Sequence, residues 1–222
     1  MPATELELSV FEASCGSEAI LCSSTPSNLI SVTPFTTYYV RVHSYLSSLT
    51  GTFNICIETV SPEIATINGS ISGWNSNCTS RNVKVSLYNP TTLITSIFIT
   101  PLTTSGTFVV NGIDIYAGTY HILVKVQGAL TVLSEDVVLN GGANSLSTGP
   151  VVLGDLNNSN GINILDLSIF SASFATTAGS SGHNFLADFN CDGVANIFDV
   201  SILGAGFNQV GDDIYIPTKP EY

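Results

Sequence analysis

Near its carboxyl end this 222-residue chain writes the same segment twice, at an offset of 188 − 155 = 33 residues. The first copy is GDLNNSNGINILDLSIFSASF and the second ADFNCDGVANIFDVSILGAGF. Asp155, Asn157, Asn163, Ile164, Asp166, Ser168, Ile169, Ala172 and Phe174 return as Asp188, Asn190, Asn196, Ile197, Asp199, Ser201, Ile202, Ala205 and Phe207. A duplicated unit must fold the same way twice and pack against itself, which narrows the possible architectures more than any composition does. Each copy opens with closely spaced oxygen donors and closes with apolar residues at helical spacing: Ile164, Leu167, Phe170 and Phe174 in one, Ile197, Val200, Leu203 and Phe207 in the other.

The donors follow the pattern of a twelve-residue calcium loop, which supplies hard oxygens from positions 1, 3, 5, 7, 9 and 12 and turns sharply at position 6. In the second copy Asp188, Asn190 and Asp192 hold positions 1, 3 and 5, Gly193 makes the turn, Val194 offers its carbonyl, and Asn196 and Asp199 complete the set. In the first, Asp155, Asn157, Asn163 and Asp166 keep their places, Gly161 offers the carbonyl, Ser159 replaces the acid and Asn160 takes the turn. Asparagine tolerates the left-handed backbone such a turn needs. Two sites for Ca2+ are therefore expected, the second, with three carboxylates, stronger than the first, with two. Two loops of this kind, each lacking an entering helix and ending in Asp instead of Glu, resemble a dockerin, and the 33-residue offset agrees. That resemblance implies a cohesin-like protein module as partner. Dockerins often carry small polar residues at loop positions 10 and 11; here Ile164 and Leu165, then Ile197 and Phe198, stand there. They are expected to face either another part of the chain or a cohesin unlike the common type.

The rest of the chain alternates in the manner of strands. ELELSVFEA, EAILC, NLISV, TTYYVRVHSY and GTFNICIET read as five strands, with Tyr38, Val40 and Val42 on one face of the fourth and Tyr39, Arg41 and His43 on the other. This region resembles the later strands of pre-peptidase C-terminal modules; the missing earlier strands imply truncation or donation by another subunit. After Ser61, Pro62 and Glu63, six further segments, from TINGSISGW to LTVLSEDVVL, read as a second sandwich. Within it GTFVVNGIDIYAGTYHILVKV resembles carboxypeptidase-regulatory-like modules, in which a Gly-containing turn joins two strands as a hairpin. NGGANSLSTGP reads as a connection to the repeat. The expected fold is mainly β: two Ig-like β-sandwich modules, at 1–60 and 61–150, then a small α-helical duplicated half-EF-hand module at 151–210 and a tail at 211–222.

Five basic residues against 17 acidic ones, a net charge of −12, exclude nucleic acid as a partner, because nothing would displace its counterions. No apolar run is long enough for a membrane span. The opening MPATELELSVFEAS lacks the features of a signal peptide, so the chain is expected to be a fragment or to have lost its leader. Five cysteines favour secretion, possession of reduced thiols in a cytosolic protein being the alternative. Cys15 is expected to pair with Cys22 and Cys56 with Cys78, leaving Cys191, at a non-ligand loop position, as a free thiol. His43, His121 and His183 lie in separate regions, and no nucleophile elbow, HExxH or phosphate loop is present. The expected function is that of a secreted, non-catalytic anchoring protein. Two alternatives stand beside it: a structural subunit of a cell-surface assembly, with neighbouring subunits or copies of itself as partners, and the C-terminal fragment of a secreted degradative enzyme.

Overall fold

Strands form where the sequence alternates; the computed structural model describes residues 6–12, 19–23, 36–44, 61–78, 81–89 and 95–213, together with residues 30 and 32. The chain divides into two units, Met1–Thr59 with Thr91–Leu93, and Val60–Pro90 with Ile94–Tyr222.

In the first unit β1 (Leu6–Glu12) lies between β2 (Ala19–Ser23) and β3 (Tyr38–Ser44), antiparallel to both. Ser9, Val10 and Phe11 are consecutive and all buried, so both faces of β1 are covered there. The two faces of β3 separate less cleanly than its alternation suggests, since Val40 is as exposed as Tyr39 beside it. The segments NLISV and GTFNICIET fall almost wholly outside the described residues, as do Cys15, Cys56 and the expected Cys15–Cys22 pairing.

The second unit is a β-sandwich with the repeat built onto it. One sheet has the order β10-β4-β7 and the other β6-β5-β8-β9, where β4 is Glu63–Ile71, β5 Arg81–Tyr88, β6 Thr95–Leu102, β7 Thr107–Ile115, β8 Gly118–Val126, β9 Thr131–Leu139 and β10 Gly142–Thr148. Every second residue points inward: Ile67 and Ile71 from β4, Val83, Val85 and Leu87 from β5, and Ile122, Val124 and Val126 from β8 share one core with Phe108 and Val110 from β7. In β7 the alternation slips at Asn111 and Gly112, both exposed, and Gly112 takes a left-handed φ of 66°. The extra residue is a bulge against β4, after which Ile113 and Ile115 again face the core.

Two expectations fail here. Gly142–Thr148, read as a connection, is strand β10, paired in parallel with β4 and sending Leu146 and Thr148 inward. Ser145 and Ser147 take its exposed outer face while half-buried Asn144 stands at an inward position, so polar residues on both faces conceal the alternation. β7 and β8 do not form a hairpin, because they belong to opposite sheets. The short link arches across the sandwich, and buried Tyr120 closes it by donating its hydroxyl to the Tyr116 carbonyl at 2.8 Å.

The repeat contributes α1 (Ile164–Ser173), β11 (Thr176–Thr177), β12 (Val194–Ala195) and α2 (Ile197–Ala205). Its duplication is written into the backbone. β11 pairs with β12 as Gly161 bridges Val210, and Ala175 N–H donates to Ala195 as Asn208 N–H donates to Ile162, both at 2.8 Å. Left-handed residues also come in twins 33 apart: Asn158 and Cys191, Asn160 and Gly193, Ala175 and Asn208. The helices bury the middle of the expected stripe and not its ends, with Leu167 and Val200 packed against the core. Phe170 and Leu203 enter a core with Ile162, Phe189 and Ala195, whereas Ile164, Phe174, Ile197 and Phe207 stay exposed at the helix ends. That core also takes Leu130 from the β8–β9 connection, and Leu153 packs against both cores.

Candidate metal centres and the surface beside them

Each loop is ordered by its first and last carboxylates. Asp155 accepts the N–H groups of Ser159 and Asn160 at 2.8 and 2.9 Å, and Asp188 those of Asp192 and Gly193 at 3.1 and 2.8 Å. Asn157 and Asn190 accept from the same fifth-position N–H groups, at 2.9 and 3.0 Å. At the far end Asp166 accepts from Leu156, Asn157 and Asn163, and Asp199 from Phe189, Asn190 and Asn196, all between 2.7 and 3.1 Å. The last two residues do a second task. Asn163 and Asn196 are the N-caps of α1 and α2, and Asp166 and Asp199 return the bond as capping boxes, which satisfies the N–H groups that a helix start leaves orphaned.

Asp155, Asp166, Asp188 and Asp199 are all buried, three of them to within 1%. Buried carboxylates in pairs call for a cation. Among the described residues no three His, Cys, Asp or Glu side chains gather into a metal site by themselves. A site here must therefore also use amide and carbonyl oxygens, the mixed hard set that calcium accepts and softer metals do not. The donors fit that demand, although the loop closes some of them on one another: Asn190 Nδ2 donates to Asp192 Oδ2 at 2.9 Å, Asn196 Nδ2 to the Val194 carbonyl at 3.1 Å, and Ser159 Oγ to the Gly161 carbonyl at 3.2 Å.

Comparison with known families decides the nature of this region. Residues 153–208 match the dockerin type I domain. Dockerin domains bind calcium. Among solved structures the chain is similar to a chain of a type II cohesin–X–dockerin complex from Acetivibrio cellulolyticus, an N-terminal interface mutant, at 21% identity over 66% of this chain and 97% of that one, with a TM-score of 0.50. A C-terminal interface mutant of the same complex matches at 21% identity over the same shares, with a TM-score of 0.49. At this identity the first likeness speaks for the fold alone. No curated protein matches the chain closely enough to count as a relative.

The dockerin module is fastened to the sandwich at both loops, and sequence reasoning missed this. Cys191 is not a free thiol and Cys78 does not await Cys56: the two form a disulfide across 113 residues, with Cα atoms 4.9 Å apart. Spacing along the chain could not reveal the pair, because it depends on how the turn after β4 meets the second loop. Beside it Asn75 Nδ2 donates to the Asn190 carbonyl at 2.7 Å, and the fully buried Arg81 donates to the carbonyls of Gln127 and Asp188 at 3.1 and 3.5 Å. The Arg81 guanidinium lies 5.8 Å from the Trp74 ring centroid. Burial pulls Arg81 down to about 10, against the opposite pull of Asp188, and it remains cationic at neutral pH. At the first loop, Lys125 Nζ meets Asp155 Oδ2 at 2.5 Å.

Two apolar pairs of the dockerin module are exposed. Ile164 and Leu165 are 64% and 61% exposed, and Ile197 and Phe198 61% and 65%. Each pair sits on the first turn of its helix, immediately beyond the ninth loop residue, so the loops set its direction. Of the two expected fates, packing within the chain and exposure toward a partner, the structure shows exposure.

Proposed function

We propose that this protein is a secreted, non-catalytic assembly component that docks onto a cohesin-like module of another protein through a calcium-ordered dockerin. The observation that carries the reading is the pair of exposed apolar dipeptides, Ile164-Leu165 and Ile197-Phe198, on helix starts that the loops position. Exposed aliphatic and aromatic residues at such positions suit a protein partner with an apolar binding face. The match to the dockerin type I domain makes a type I cohesin the first partner to try, and the shared fold with a chain of a type II cohesin complex makes a type II cohesin the second.

In this reading Asp155, Asn157, Ser159, Gly161, Asn163 and Asp166 hold one calcium ion, and Asp188, Asn190, Asp192, Val194, Asn196 and Asp199 the other. The second site is the tighter, having a third carboxylate at Asp192 where the first has Ser159. Calcium supplies charge compensation for the buried carboxylates, and the chain's own residues aim the apolar pairs.

The test is titration calorimetry of the chain against a type I and a type II cohesin, in calcium and in EDTA, with light scattering of the chain alone. Saturable binding lost in EDTA supports docking. Calcium-dependent self-association without cohesin binding would instead favour a subunit of a cell-surface assembly, and indifference to calcium in both measurements would remove the reading.

A further inference from the structure

The two loops differ in more than their ligands, because the sandwich meets them with different chemistry. Arg81 reaches the main-chain carbonyl of Asp188, leaving that carboxylate to its own loop's N–H donors. Lys125, from β8, instead places its ammonium on the Asp155 carboxylate, at Oδ2, the oxygen that also accepts Asn160 N–H. The lysine side chain is only 12% exposed and the aspartate fully buried, so the pair is poorly screened. Asn160, where the other loop has Gly193, is an anchor as well as a turn. Its Oδ1 accepts from Thr131 N–H at 2.9 Å, from Thr131 Oγ1 at 2.7 Å and, more weakly, from Lys125 at 3.4 Å. Its Nδ2 donates to the Asp212 carbonyl at 3.1 Å, and its own carbonyl accepts Gly211 N–H at 2.9 Å.

Starting from the calcium assignment above, we propose that Lys125 is a tethered cation for the first loop: it holds that loop folded without metal and lowers its calcium affinity. Loop 1 then carries two carboxylates and one ammonium, a net charge of −1, whereas loop 2 carries three carboxylates beside one guanidinium, a net charge of −2. A dication entering loop 1 meets a fixed positive charge on its first ligand. Asn160 serves the same end, exchanging the freedom of glycine for a side chain that fastens the turn to β9. The sandwich thus neutralises a first-position carboxylate in one loop and leaves that of the other to calcium.

Amide hydrogen exchange in EDTA and calcium titration, on the full chain and on Lys125→Met, test this. In the wild type the Ser159 and Asn160 amides stay protected in EDTA. In Lys125→Met they lose protection in EDTA and regain it in calcium, and loop 1 binds calcium roughly tenfold or more tightly than before. Lys125→Arg, which keeps the charge, behaves as wild type. Protection in EDTA unchanged by Lys125→Met, or an unchanged loop 1 affinity, overturns the proposal. Because the exchange measurement needs no metal, it decides the point even if loop 2 binds no calcium, a result that would instead overturn the calcium assignment. Should Lys125→Met fail to fold, Ser159→Asp keeps Lys125 and restores the third carboxylate. Loop 1 is then still expected to bind several-fold more weakly than loop 2, and equal affinities would overturn the proposal.

Discussion

Replacing both Cys78 and Cys191 by serine removes the covalent tie between the sandwich and the second calcium loop. The bond closes a loop of 113 residues, for which the chain-entropy relation gives roughly 4.8 kcal/mol at 25 °C. Engineered and native bonds usually deliver less, and the Asn75 and Arg81 contacts remain, so the expected loss is about 3–4 kcal/mol. For a unit of this size each kcal/mol moves Tm by about 2–4 °C, which places the double variant roughly 10 °C below the oxidised wild type. Guanidinium unfolding followed by far-UV circular dichroism, in saturating calcium, reads this directly. Reduced wild type should coincide with the variant. A loss below about 1 kcal/mol, or a reduced wild type as stable as the oxidised one, would show that the tie does not restrict the unfolded chain as reasoned here.

Asp199→Ala strips three N–H groups, of Phe189, Asn190 and Asn196, of their acceptor in a buried place, and should cost about 3 kcal/mol or more in urea unfolding even without calcium. Ile197→Ser with Phe198→Ser alters only exposed side chains; stability should change by less than about 0.5 kcal/mol while cohesin binding in a calorimeter is lost. EDTA should lower Tm, because calcium at 100 times its Kd adds about 2.7 kcal/mol per loaded site, and a scan in each buffer measures it. Arg81 titrates lower folded than unfolded, so the unfolded chain holds more protons between the two values. Its contribution to stability therefore rises with pH only above about 10 and is flat near neutrality, as an Arg81→Lys comparison of unfolding against pH should show.

The dockerin module was readable because its information is local. Ligand spacing, the helical stripe and the turn residues all lie within twelve or so positions, and repetition confirms each of them at Asn160 and Gly193. The strands β4 to β9 were readable for a similar reason, since period-two alternation survives wherever one face is buried. β10 was not, because Gly142 and Asn144 on its inward side and Ser145 and Ser147 on its outer one are residue types that also build loops. Which sheet a strand joins depends on partners far along the chain, and so the arch at Tyr116 looked like a hairpin. The same limit hid Lys125 and Cys78: each stands on the sandwich at a position unremarkable in its own neighbourhood, and gains its role only where the dockerin module packs.

The disulfide also fixes how the molecule carries tension. A pull exerted between the docking helices and the chain before β4 passes from α2 through Cys191 to Cys78, bypassing nearly all of the sandwich and the first loop. Those roughly 110 residues, some 400 Å of extensible chain, are withdrawn from the path of the force. Anchored through its second helix, the oxidised protein would behave as a short, stiff link, and reduction would turn the same sequence into a long one.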